Sequence, residues 1–136
     1  MKNATALRVY RAVGIWDLLL TLPFALPSVN VYVIGILGDL NAWVSPGRPF
    51  PEFLGIHLFF VQLFGILAVL WAIVRIHQPG RFLAGYDTIG RIIVACAMIG
   101  FTIVGGSFVP LLFSASEIGF GILQTVFWLG TGKRQK

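Results

Sequence analysis

Of the 136 residues, 57% are hydrophobic and 11% charged, with a mean hydropathy of +0.89. Soluble domains carry about 25% charged residues, so the composition excludes an ordinary water-soluble globule and points to a membrane protein. The formal net charge of +5 lies in small basic groups at the ends of apolar runs rather than along one solvated face, which argues against nucleic acid as a partner.

No composition break or internal repeat divides the chain, so residues 1–136 are expected to form a single integral membrane domain. Its fold class is all-α, a four-transmembrane-helix bundle with an interfacial helix between spans one and two. About 20 apolar residues are needed to cross the ~30 Å of hydrocarbon. The first run of that kind, approximately residues 7–26, contains GIWDLLLTLPF, which places Asp17 where hydrocarbon is expected. Asp17 interrupts the stretch, and no A-x-A site comes after it, so the run reads as a span rather than a cleaved signal peptide. Pro23 and Pro27 end it, with Ser28 as a candidate N-cap for the next segment. Residues 29–44 (VNVYVIGILGDLNAWV) are short and mixed in polarity and suit a helix lying in the interface or partly re-entrant. Prolines 46, 49 and 51 then break the chain before the second span, approximately 53–76. The third and fourth spans, approximately 88–108 and 110–130, are joined by the uncharged hinge GGSFVP, a tight hairpin near the outer surface. Cys96, the one cysteine, lies in the third; it offers neither an internal disulfide nor a CxxC motif and reads as a small buried apolar residue.

Basic residues at the loops orient these spans. Lys2, Arg8 and Arg11 precede span one, Arg75, Arg81 and Arg91 surround the link between spans two and three, and Lys133, Arg134 and Lys136 come after span four; only Arg48 lies opposite. The positive-inside rule therefore predicts a multi-pass inner-membrane protein with both termini cytoplasmic.

A charge facing lipid at mid-helix costs at least ~2.5–3.5 kcal/mol, so polar residues in spans are expected to turn inward. Each predicted helix has one stripe of small and polar residues at helical spacing: Tyr10, Gly14, Asp17 and Thr21; His57, Ala68, Ala72 and Arg75; Arg91, Ala95, Met98, Thr102 and Gly105; Ser114, Glu117, Gly121, Gln124 and Trp128. At ~1.5 Å per residue, Asp17 and Gln124 come out at one level, with Glu117 about 10 Å nearer the outside. Arg91 is thus the expected partner of Asp17, with Gln124 and Tyr10 as hydrogen-bond neighbours, and Glu117, with Ser114 one turn away, is expected to meet His57. These residues either hold the helices in register or line a polar cavity. His57 and His77, about 30 Å apart on one helix, cannot clamp a single haem. Neither HExxH, GxSxG, a Walker loop nor GxGxxG is present, so no catalytic, metal or cofactor site is expected.

The order of features resembles that of a known group. A basic start and acid-containing first helix (RVYRAVGIWDLLLTLPFALP), a segment ending in a Pro-rich turn (LNAWVSPGRPFPEF), HLFFVQLFGILAVLWAIVRIHQP, YDTIGR and SASEIGFGILQ together look like the BphX-like small bacterial membrane proteins, themselves similar to the broader DoxX-like four-helix proteins. The resemblance implies a four-helix membrane bundle. It also implies a link to aromatic-compound degradation, beside whose genes some members are encoded, or to membrane redox complexes. It brings no catalytic residue with it. The functional expectation is a non-enzymatic accessory protein, or a carrier that binds a small apolar or aromatic compound in the bilayer without a cofactor. Two alternatives stand beside it. One is a subunit of a membrane oxidoreductase complex that docks a redox partner on the basic face around Arg75, Arg81 and Arg91. The other is a structural assembly protein. Gly65, Ala68 and Ala72 suit packing either within one chain or in a homo-oligomer.

Overall fold

The structure, a computed structural model, describes residues 2–131. The predicted basic group Lys133, Arg134 and Lys136 lies outside the described residues. Within them the chain forms helices α1 Lys2–Ala25, α2 Val29–Val44, α3 Gly55–His77, α4 Arg81–Ile103 and α5 Val109–Thr131, with no strand. The protein is all-α.

Their surfaces are inverted relative to a protein folded in water. Leu19, Phe64, Leu67 and Ile103 are well exposed, whereas Arg75, Asp87, Arg91 and Gln124 are buried. Contiguous exposed apolar surface with polar residues inside is what a lipid-facing helix bundle presents. Three helices, Gly55–His77, Arg81–Ile103 and Val109–Leu129, are long and apolar enough by themselves to cross a membrane. Helix α1 qualifies only together with α2, from which it is bent by 105°, so the described residues hold three candidate spans, or up to four if the bent pair counts as one. At the bend, Ser28 adopts a left-handed φ of 67° and its side chain caps nothing, contrary to its predicted role. Asn30 N–H instead bonds to the Leu26 carbonyl, and the Asn30 side chain reaches the Leu58 carbonyl on α3.

The long helices pack as two pairs, α1 along α3 and α4 along α5, with α1 also touching α5; α3 and α4 approach each other very little. Small residues set the first pairing. A Cβ on Gly65 would lie 2.5 Å from the Ala25 backbone nitrogen, and one on Gly14 would be 3.4 Å from both the Ala72 carbonyl oxygen and Arg75 Cβ. Gly65 and Ala72 therefore serve packing within the chain, because the backbones can close only where no side chain intervenes. The Pro-rich segment at 45–54 pins the opposite end. Arg48 Nη1 donates to the carbonyls of Thr102 (3.0 Å) and Gly106 (2.9 Å), and the guanidinium lies over the Phe108 ring. It thereby adds a charged donor at the Thr102 carbonyl, which also accepts from the Gly105 N–H, and at the Gly106 carbonyl in the turn beyond α4.

The third span begins earlier than the apolar run suggests. Its helix starts at Arg81, so YDTIGR lies inside α4 rather than opening it, and Arg91 sits ~15 Å along the axis. Cys96 is exposed, not buried, on the outward face of α4. Its neighbour Ala95 takes the inward position, because consecutive helical residues lie about 100° apart.

Candidate functional site

The close approach of α1 and α3 at Gly14 and Ala72 brings Asp17, one turn beyond Gly14, beside Arg75. Arg75 Nη2 donates to Asp17 Oδ2 at 2.5 Å, and Arg91 Nη2 donates to the same oxygen from α4. On α4, Asp87 and Arg91 are four residues apart and share a face. Arg91 Nε donates to Asp87 Oδ2 at 3.0 Å, while Arg91 Nη1 reaches Glu117 Oε2 on α5 at 2.8 Å. Asp87 is the most heavily coordinated acid. Its Oδ2 also accepts from Arg75 Nη1 (2.9 Å) and Gln124 Nε2 (2.8 Å), and its Oδ1 accepts from Trp71 Nε1 (2.9 Å). Two guanidiniums and three carboxylates thus join α1, α3, α4 and α5 in one buried network. Charges removed from water must be paired and hydrogen-bonded to be tolerated. Here the pairing runs across the gap that α3 and α4 leave open.

The network forms part of the wall of a cavity of about 890 Å³. The cavity runs along α4 from Tyr86 to Phe101 and is otherwise mostly apolar, with Leu20 and Phe24 from α1, Leu37 from α2, Trp71 from α3 and Phe113 from α5 among its walls. All five charged residues of the network line it, and no other charged residue does among those described. Their exposures differ: the side chains of Arg91, Arg75 and Asp87 are 5, 6 and 7% accessible, Asp17 is 15% and Glu117 is 23%. Glu117 uses one oxygen for Arg91, and its Oε1 has no hydrogen bond among the described residues. Among those residues no group of three or more His, Cys, Asp or Glu could hold a metal ion. The carboxylates converge on guanidinium nitrogens, not on one another. The arrangement can bind and orient a molecule.

Of the residues predicted for the site, Asp17, Arg91, Glu117 and Gln124 meet, and three others do not. His57 is exposed on the first turn of α3, where its Nδ1 accepts from the Leu54 N–H at 3.2 Å, and it is not the partner of Glu117. Tyr10 packs with Ala6, Ala84 and Phe127, and its hydroxyl makes no hydrogen bond to Asp17 or any other described residue. Ser114 is buried and donates to the Leu111 carbonyl at 2.8 Å within its own helix. Gln124 binds Asp87 rather than Asp17. Asp17 and Glu117, expected to lie well apart in depth, instead meet at the two terminal nitrogens of one guanidinium, that of Arg91, so the depth counted along each helix by itself does not hold between α1 and α5. Asp87, Arg75 and Trp71 join the site without being predicted for it. The sequence signal for Asp87 is its four-residue spacing to Arg91, which is obscured when YDTIGR is taken as the mouth of the helix.

Fold and site together define an all-helical protein with several helices long and apolar enough to cross a membrane and a buried charge network at the wall of a mostly apolar cavity. Compared with family models, with curated proteins and with solved structures, the chain matches none.

Proposed function

We propose that the protein is a non-enzymatic binding protein or carrier for a small apolar or aromatic compound, housed as a four-span bundle in the bacterial inner membrane with both termini cytoplasmic. The bent α1–α2 pair supplies the fourth span in this reading, with α2 near the outer surface. The orientation rests on the distribution of Lys and Arg. The resemblance to BphX-like and DoxX-like proteins supports the same reading and its link to aromatic compounds. The observation that carries the proposal is the cavity: about 890 Å³ with a mostly apolar wall falls in the ~300–1,000 Å³ range of small-molecule sites. A register-fixing role alone needs the ion pairs but not the open space beside them.

Trp71 lines the cavity and offers a direct test. Naphthalene added to the full-length protein in lipid nanodiscs is expected to change tryptophan emission saturably at about one equivalent, and the change is expected to be lost in Trp71→Phe. Ala97→Phe, which fills space in the cavity wall, should weaken it. A non-saturating response, the same in protein and variants, would mean simple partition into lipid and would sink the proposal.

A further inference from the structure

A bilayer changes what selects a ligand. Lipid tails are as apolar as the cavity wall, so an aromatic compound gains little by leaving one for the other. Selection then falls to shape and to the polar wall, where the charges do not balance. Three carboxylates, Asp17, Asp87 and Glu117, face two guanidiniums, Arg75 and Arg91, leaving one negative charge over. Among the described residues, Asp87 is engaged by four donors and Asp17 by both arginines, whereas Glu117 has a single hydrogen bond, the most accessible side chain of the three and an Oε1 that accepts none. The surplus is therefore least compensated at Glu117. Trp71 and Tyr86, which sit within a turn of Arg75 and Asp87, and Phe113, one turn before Glu117, line the same cavity, and aromatic faces attract cations.

We propose that the cavity selects organic monocations with an aromatic body, with Glu117 as their counter-ion. This rests on the binding role proposed above and adds the charge of the ligand to it. A cation entering beside Glu117 makes the charged wall neutral, while an anion of equal size adds to the surplus in a site where screening is weak. Arg91 holds Glu117 from one side and leaves its other oxygen to the guest.

The test uses tetraphenylphosphonium and tetraphenylborate, which share size and shape and differ in sign. Binding of each to the full-length protein in zwitterionic nanodiscs is measured by equilibrium dialysis, with binding to protein-free discs subtracted, and naphthalene is run in parallel. The native protein is expected to prefer the cation by about tenfold or more, the equivalent of ~1.4 kcal/mol. Glu117→Gln should abolish the preference and Glu117→Asp should retain it. If Glu117→Gln does not fold, the comparison of the two ions on native protein decides alone. Equal binding, or preference for tetraphenylborate, with naphthalene still bound, would overturn the charge selection and leave the aromatic-binding role standing. Failure of all three to bind overturns both.

Discussion

Replacing Arg91 by leucine removes the one side chain that hydrogen-bonds carboxylates on three helices, Asp17 on α1, Asp87 on α4 and Glu117 on α5. The consequences for the three acids are unequal. Asp87 keeps Trp71, Arg75 and Gln124, and Asp17 keeps Arg75, but Glu117 loses its only hydrogen-bond partner among the described residues. Breaking a buried ion pair from one side costs ~3–5 kcal/mol because it strands the other charge. Glu117 is partly accessible, so its charge is incompletely desolvated, which places the expected loss near the lower end, about 3 kcal/mol. Reversible unfolding in mixed micelles at increasing SDS fraction, followed by circular dichroism, measures it. Arg11→Leu serves as comparison, since Arg11 is exposed and, among the described residues, bonds only to the Ile76 carbonyl; its cost is expected within about 0.5 kcal/mol. Adding Glu117→Gln to Arg91→Leu removes the stranded charge and should restore about 1 kcal/mol or more, since close pairs are not additive. An Arg91→Leu protein within about 1 kcal/mol of the native one, or a double variant less stable than the single, would refute the assignment of Arg91 as the shared counter-ion.

Two further expectations concern the frame that holds the network. Gly65→Ala places a methyl 2.5 Å from the Ala25 backbone nitrogen, so α1 and α3 must move apart, whereas Gly90→Ala meets nothing within 4 Å; the same SDS titration should show about 1–3 kcal/mol lost for the first and no measurable loss for the second. Arg48→Ala strips the carbonyls of Thr102 and Gly106 of a charged donor, and the amides of the α4–α5 turn should exchange hydrogen about tenfold faster or more, given ~1.5–3 kcal/mol for such bonds; unchanged exchange would show that Arg48 does not hold the turn.

Much of the helical layout is legible in the sequence because span length and loop chemistry are local. The predicted runs 53–76 and 110–130 coincide closely with Gly55–His77 and Val109–Thr131, and 29–44 with Val29–Val44. The third run, 88–108, starts and ends late against the helix Arg81–Ile103. The first two turns of that helix carry Arg81, Tyr86 and Asp87, and hydropathy counts an inward-facing aspartate as though it met lipid. For the same reason Arg75 stands out in the sequence chiefly as part of a basic loop. Ser114 is grouped with Glu117 by their spacing on one stripe and His57 by its place toward the same outer end, but a histidine near a helix start and a serine inside a helix each have backbone groups closer at hand.

The sequence by itself determined that apolar helices place small and polar residues on one face, because hydropathy and helical period are properties of neighbouring residues. It also singled out Asp17, Arg91, Glu117 and Gln124 as inward-facing. The tertiary structure decided which of them meet. Gly14 and Gly65 let α1 close on α3, which sets Asp17 beside Arg75, and the length of Arg91 lets one side chain collect acids from three helices. It also decided that α3 and α4 stay apart with a cavity beside the charges. Such a gap depends on how four helices share their faces, which the period of any single helix does not encode.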